Sequence, residues 1–175
     1  MIYLNNYGWN DKLSQLKQES TYNALTHGRI SIVHRTCYEV VSENGLFQCE
    51  LTGNMMYGKS DIELPCTGDW VLFQPFDEHK GIIVDMLPRE RTLYRKKNGT
   101  VADKQAIASY VDKAFIVQSL DDNFNVRRAE RFMVQMQEEN INPVLVFNKA
   151  DLGFDEQKVE EQIRHIARQI PVFFT

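Results

Sequence analysis

The stretch Pro143-Val144-Leu145-Val146-Phe147-Asn148-Lys149-Ala150-Asp151 joins a short apolar run to an Asn-Lys-x-Asp motif. Such a run is typical of a strand that is buried on both faces of a sheet. In an open α/β sheet, ligands bind at the carboxyl ends of the strands, which is where this motif stands. The pattern therefore predicts a binding site directly after a core strand.

The side chains of the motif fit the chemistry of guanine. The Asp151 carboxylate can accept two parallel hydrogen bonds, from the N1–H and the exocyclic amine, and adenine cannot offer this pair. Asn148 can bridge the base to neighbouring loops, and the stem of Lys149 can lie along the ring face. A polar turn after a core strand is the alternative interpretation of the same four residues.

Composition and charge indicate an ordinary globular protein. The 175 residues are 43% hydrophobic and 25% charged, enough for one large domain or two small ones. The net charge of −4 means that any contact with nucleic acid must come from a local patch. The three cysteines and four histidines show no metal-binding spacing, and no signal peptide or apolar run of membrane-spanning length occurs. A reduced, cytoplasmic protein without a metal site is predicted.

Residues 28–93 have the pattern of a small closed β-barrel, OB-like or SH3-like. Five short runs are strand-like, namely residues 29–34, 38–41, 46–51, 65–73 and 81–87. An Asn-Gly pair at Asn44-Gly45 gives a hairpin signal between the second and third runs. Residues 1–27, polar with a helical middle, are predicted to form an N-terminal helical extension that either docks on the main body or frays.

The second half changes to a helical period. Residues 106–175 contain alternating strand and helix patterns, at 111–120, 127–139, 143–147, 155–169 and from 171 onward. This β-α-β-α-β order predicts the first part of a doubly wound parallel sheet, left unfinished at Thr175. Residues 94–105 are predicted to be a basic connector between the two parts.

A second motif, Gly53-Asn54-Met55-Met56-Tyr57-Gly58-Lys59-Ser60, matches the phosphate-loop pattern G-x-x-x-x-G-K-S. A working phosphate loop joins a buried strand to a helix. Here the preceding run alternates like a half-exposed strand, and Pro65 and Gly68 follow too soon for an ordinary helix. No D-x-x-G segment occurs in the chain. The sequence therefore favours a Gly-rich hairpin tip, and a conventional P-loop NTPase using Lys59 requires a helix after Ser60.

Two further groups of charged residues could carry function. The densest basic cluster comprises Arg89, Arg91, Arg95, Lys96 and Lys97, with Tyr94 among them. It could bind RNA phosphates while the aromatic ring stacks on a base, or it could be a solvated connector. The pair Asp121-Asp122 could form a metal pair or a general base, but a loop that leads to a helix cap at Asn125 is favoured.

In their order along the chain, the motifs resemble the ribosome small-subunit-dependent GTPase A (RsgA) family of circularly permuted GTPases. The matching segments are Gly28-Arg29-Ile30, Pro65-x-x-Gly68-Asp69-Trp70-Val71, Leu87-Pro88-Arg89-x-Arg91, Arg95-Lys96, Ala108-x-x-Val111-Asp112, Phe115-Ile116-Val117, Ser119-Leu120-Asp121-x-x-Phe124-Asn125, Arg127-Arg128-x-Glu130-Arg131 and Asn148-Lys149-Ala150-Asp151-Leu152. The resemblance implies an OB-fold followed by a permuted GTPase domain, in which the N-K-x-D motif precedes the phosphate loop.

The resemblance also implies a function. Members of the family bind GTP and GDP with magnesium, hydrolyse GTP on the small ribosomal subunit and its rRNA, and carry zinc in a C-terminal domain. This chain is expected to stop before the phosphate loop and the zinc ligands, so alone it is expected not to hydrolyse GTP. Asn148, Lys149 and Asp151 are the expected guanine contacts, and the protein is expected to be a monomer. A stand-alone RNA-binding OB module remains the alternative, besides the conventional P-loop NTPase.

Overall fold

A closed five-stranded barrel forms the centre of residues 1–110. Its strands are β1 (Thr26–Val33), β2 (Tyr38–Ser42), β3 (Gly45–Leu51), β4 (Trp70–Asp77) and β5 (Lys80–Met86). They pair in the order β1-β2-β3-β5-β4, β4 closes onto β1, and only the β3–β5 pair is parallel. This confirms the predicted OB-like barrel. The structure is a computed structural model that describes residues 1–57, 59–96, 104–121 and 124–175.

The barrel interior is filled by apolar side chains that alternate along the strands. The buried set comprises Ile30, Val40, Phe47, Cys49, Val71, Phe73 and Ile83. A four-residue helix, α2 (Gly53–Met56), follows β3 and adds Met55 to this core. The hairpin predicted at Asn44-Gly45 is present, since Ser42 pairs with Gly45 at the end of β2 and β3.

A second apolar cluster covers the outside of the barrel. The extension contains a 3₁₀ turn (Leu4–Tyr7) and helix α1 (Asp11–Glu19), and it buries Leu4 and Leu13. These side chains cluster with Val41, Trp70, Leu72 and Leu87. The N-terminal extension therefore docks on the barrel, because β4 is apolar on both of its faces.

A short hairpin lies in the stretch for which the sequence predicted a basic connector. Strands β6 (Leu93–Lys96) and β7 (Lys104–Ala108) pair antiparallel. The hairpin is tied to the barrel where Ser109 N–H donates to the carbonyl of Thr67 at 2.9 Å. The expected connector therefore contains regular strands. Their β pattern is weak in the sequence because the strands are short and rich in charged residues.

Residues 111–175 form a three-stranded parallel sheet with two crossover helices. The elements are β8 (Lys113–Ser119), α3 (Val126–Glu138), β9 (Asn142–Asn148), α4 (Glu156–Ala167) and β10 (Val172–Phe174). The strand order is β10-β9-β8. Both helices begin at side-chain caps, since Asn125 accepts from Arg128 N–H and Asp155 accepts from Lys158 N–H, each at 3.1 Å. The predicted β-α-β-α-β order is present.

Candidate functional site

The Asn-Lys-x-Asp motif lies at the carboxyl edge of the parallel sheet. Asn148 is the last residue of β9, and Ala150–Leu152 form a 3₁₀ turn. Between them, Lys149 has a left-handed backbone with φ of +66°, which turns the chain out of the strand. This is the edge at which open α/β sheets bind ligands.

Asn148 joins the ends of all three strands of the sheet. Its side-chain Oδ1 accepts a hydrogen bond from Lys149 N–H at 2.8 Å and lies 3.4 Å from the Thr175 hydroxyl, which donates to it. Its backbone carbonyl accepts from Leu120 N–H at 3.0 Å, and Ala150 N–H donates to the Thr175 carbonyl at 3.0 Å. The loop is therefore held from β8 on one side and from β10 on the other.

Lys149 makes an ion pair with the end of the neighbouring strand. Its Nζ lies 2.8 Å from Oδ2 of Asp121, and the two side chains are 48% and 31% exposed. The in-register pair Ser119↔Asn148 brings these strand ends together. From the sequence, Asp121 is a candidate functional residue only as part of the pair Asp121-Asp122 and not together with the motif, although Asp121 and Lys149 follow adjacent parallel strands. Asp122, its predicted companion, lies outside the described residues.

Asp151 presents its carboxylate to solvent. The residue is exposed, and its side chain makes no hydrogen bond or ion pair with any residue that the structure describes. Both carboxylate oxygens are thus available to a ligand that offers two parallel donors.

A cavity of about 360 Å³ opens next to the motif. Its wall includes Leu120 and Asp121 after β8, and Asp155 and Lys158 at the start of α4. Asn148, Lys149 and Asp151 do not line it, so the cavity adjoins the motif without covering it.

Comparison with known protein families decides the assignment. The family model described as RsgA GTPase matches residues 86–175. The chain belongs to the RsgA GTPase family.

Relatives within this family match nearly the whole chain. The "small ribosomal subunit biogenesis GTPase RsgA 1" of Bacteroides thetaiotaomicron is 72% identical over 97% of this chain and 48% of its own length. The "small ribosomal subunit biogenesis GTPase RsgA" of Opitutus terrae is 30% identical over 97% of this chain and 49% of its own length. The chain therefore spans about half the length of the curated RsgA relatives it matches.

Two solved structures share the fold. YloQ, described as a circularly permuted GTPase, matches with a TM-score of 0.58 and 23% identity, over 90% of this chain and 53% of its own. YjeQ from Thermotoga maritima matches with a TM-score of 0.61 and 22% identity, over 85% of this chain and 51% of its own. These likenesses confirm the predicted barrel followed by part of a circularly permuted GTPase fold.

The segment Gly53–Ser60 does not have the strand–loop–helix form of a phosphate loop in its described residues. Its only helix there, α2, comes before Lys59, and residues 61–64 form turns. Ser60 N–H and Oγ donate to the Glu63 carboxylate at 2.9 and 2.6 Å, and these bonds lower the pKa of Glu63. The predicted hairpin tip is also wrong, because β3 does not pair with β4 but runs parallel to β5. Gly58 lies outside the described residues.

Arg89, a candidate RNA contact, is a structural residue. Its guanidinium contacts both oxygens of Asp69, which is 0% exposed, with Nε at 2.9 Å from Oδ1 and Nη2 at 2.6 Å from Oδ2. It also donates to the carbonyls of Ile62 and Leu64. Burial alone would lower the pKa of Arg89, but the bonds and charge of Asp69 raise it overall. Most of its donors are therefore occupied inside the fold, and its role as an RNA contact stays a prediction.

The rest of the basic cluster lies on or near the β6–β7 hairpin. Arg95 is exposed, with Nη2 at 3.3 Å from Oε1 of Gln105. The Tyr94 ring has Lys104 Nζ at 5.8 Å from its centroid. Arg91 pairs with its neighbour Glu90 at 3.1 Å. Lys96 ends β6, and Lys97 lies outside the described residues.

The described residues contain neither a metal-binding cluster nor a membrane-spanning helix. In the ranges 1–57, 59–96, 104–121 and 124–175, no group of three or more His, Cys, Asp or Glu side chains could hold a metal ion. No helix in the same ranges is long and apolar enough to cross a membrane.

Proposed function

We propose that this chain carries the guanine-recognition part of a GTPase that acts in biogenesis of the small ribosomal subunit. The observation that carries the proposal is the exposed Asp151 carboxylate at the carboxyl edge of a parallel sheet, within an Asn-Lys-x-Asp loop of an RsgA family member. The relatives are named small ribosomal subunit biogenesis GTPases, and these names support the same function. We further propose that the protein works as a monomer in the cytoplasm.

The proposed recognition depends on the match between the hydrogen-bonding groups of Asp151 and those of the base. Asp151 accepts from the N1–H and the exocyclic amine of guanine, while adenine presents an unprotonated N1 and therefore cannot pair in this way. The methylene stem of Lys149 lies against the ring, and Asn148 holds the loop by the bonds that it makes to the strand ends. GTP hydrolysis additionally requires magnesium and contacts to the phosphates. The role proposed for this chain is recognition of the base, while binding of magnesium and zinc is proposed for the whole family member.

A nucleotide titration followed by NMR tests the proposal. GDP is added to the ¹⁵N-labelled chain, and ADP is added to a second sample. GDP should shift the amide signals of residues 148–151 and ADP should not. Equal responses to GDP and ADP, or no response of these amides, would overturn the proposal.

The Asp151→Asn variant sharpens this test. An amide at this position donates one hydrogen bond and accepts one, which matches the C2 carbonyl and N1–H of xanthine. We expect the variant to lose its response to GDP and to gain one to xanthosine diphosphate. Asp85→Asn is the matched control, because Asp85 lies on β5 of the barrel and should leave the GDP response unchanged.

We propose contact with ribosomal RNA at the β6–β7 hairpin, supported by the exposed Arg95 and the Tyr94 ring beside Lys104. Binding of a fluorescent small-subunit rRNA fragment should weaken in Arg95→Ala, and the slope of log affinity against log salt should fall by about one unit. If the variant binds with an unchanged slope, Arg95 does not contact phosphate. RNA binding with no response to any nucleotide would instead favour the stand-alone RNA-binding module.

A further inference from the structure

Asp121 and Lys149 meet across the carboxyl edge of the sheet. Asp121 follows β8 and Lys149 follows β9, and their 2.8 Å contact joins the ends of two neighbouring parallel strands. Asp121 also forms part of the wall of the cavity beside the motif. Asp121 is therefore in contact with Lys149 and also borders the cavity.

We propose that Asp121 is a positioning residue of the guanine site, acting through Lys149. The inference rests on the proposed guanine recognition. The Asp121 carboxylate holds Lys149 Nζ, so that the lysine stem stays extended along the surface on which the base lies. Asp121 itself need not touch the nucleotide.

The lysine stem is fixed at both of its ends. At the backbone end, Lys149 has a φ of +66° and donates its N–H to Asn148 Oδ1 at 2.8 Å. At the far end, Asp121 accepts from Nζ at 2.8 Å. A free lysine side chain loses much rotamer freedom when a ligand packs on it, and ordering it beforehand removes part of that cost. The ion pair should therefore increase affinity for the base without adding a contact to it.

Asp121 is held in place independently of Lys149. Its backbone carbonyl accepts from Phe124 N–H at 2.8 Å, and the Phe124 ring packs edge-on against Phe147 of β9 at 5.4 Å. A half-exposed ion pair of this kind contributes little to folding stability. Removing the carboxylate should therefore change the lysine and leave the fold intact.

The test is the GDP titration with variants of both partners. Asp121→Asn should weaken GDP binding by about two- to fivefold, the range expected for one half-exposed ion pair. Asp121→Glu, which keeps a carboxylate within reach of Nζ, should restore most of the affinity. Glu138→Gln is the matched control: it removes one carboxylate at the last residue of α3 and should bind GDP like the unchanged chain.

A double-mutant cycle decides whether Asp121 acts through the lysine. Lys149→Met keeps an unbranched stem and removes the ammonium group. In that background Asp121→Asn should have no further effect on GDP affinity, because the group it positions is gone. An equal loss in both backgrounds would show that Asp121 acts on the nucleotide by another route and would overturn the inference.

The two proposals fail in different ways. If the unchanged chain does not distinguish GDP from ADP and Asp151→Asn alters nothing, guanine recognition itself is wrong, and the role of Asp121 falls with it. If GDP binding is present and lost in Asp151→Asn, but Asp121→Asn binds GDP as tightly as the unchanged chain, only the positioning role is wrong.

Discussion

Replacing Arg89 with alanine should unfold the barrel unit at much lower denaturant concentration. The change leaves the Asp69 carboxylate, which is 0% exposed, without its guanidinium partner, although the Cys66 N–H still donates to it at 2.7 Å. It also removes the donor for the carbonyls of Ile62 and Leu64. Removing one partner of a buried ion pair typically costs ~3–5 kcal/mol of folding free energy. The Arg89 side chain is 13% exposed, so water can reach the gap, and we expect a loss near the lower value, about 3 kcal/mol.

Tryptophan fluorescence during urea unfolding measures this loss selectively. The chain has two tryptophans, Trp9 and Trp70, and both lie within residues 1–110. Arg89→Lys should lose less unfolding free energy than Arg89→Ala, because it keeps the positive charge. It should still lose some, because it lacks the planar fork that meets both carboxylate oxygens. Arg95→Ala is the control, an exposed arginine whose removal should change stability by no more than about 0.5 kcal/mol. An Arg89→Ala protein that folds as stably as the Arg95→Ala protein, yet binds RNA poorly, would refute the structural role and restore the RNA contact.

Two other predictions concern the same unit. Gly68→Ala should destabilise it by at least about 2 kcal/mol, because φ is +94° and the new Cβ would lie 2.3 Å from the Ser109 carbonyl oxygen. Gly45 has a φ of +123° and open space around it, so Gly45→Ala should lose less unfolding free energy in the same urea measurement. Equal losses in the two variants would contradict the clash proposed at Gly68. Burial, and then the charge of Lys17, hold the pKa of His27 below its ordinary 6.5 in the folded protein. The unfolded chain therefore takes up the proton first, and stability should fall as pH drops below about 6.5, a dependence that His27→Gln should reduce. Urea midpoints measured between about pH 5.5 and 8 check this prediction. Equal slopes of the midpoint against pH for the unchanged protein and His27→Gln would contradict it.

Local patterns were sufficient to predict the second half of the chain. The apolar run before Asn148 indicated a core strand, and β9 does end at Asn148. The cap at Asn125 was expected from a short polar side chain before a helical pattern, and α3 begins at the next residue. Each of these features depends on residues within about one turn of one another, which sequence alone displays.

Features that depend on distant partners could not be predicted in this way. Arg89 belongs to the densest basic segment of the sequence, and nothing near it shows that Asp69, 20 residues earlier, takes up its guanidinium. The contact between Lys149 and Asp121 spans 28 residues and requires the parallel register of β8 and β9. The role of Asp151 in binding guanine stays a prediction, and the structure supplies the exposed carboxylate on which it depends.

Because of the apolar cluster on the outside of the barrel, the folding unit begins before the first strand. Counting strands would start the domain near residue 26, yet Leu4 and Leu13 are 1% and 2% exposed against Trp70 and Leu72. Cutting the chain before β1 would remove Leu4 and Leu13 from the cluster and expose part of Trp70 and Leu72, two large side chains of β4, to water. Domain dissection, limited proteolysis and transplantation of this barrel should therefore treat the first 25 residues as inseparable from it.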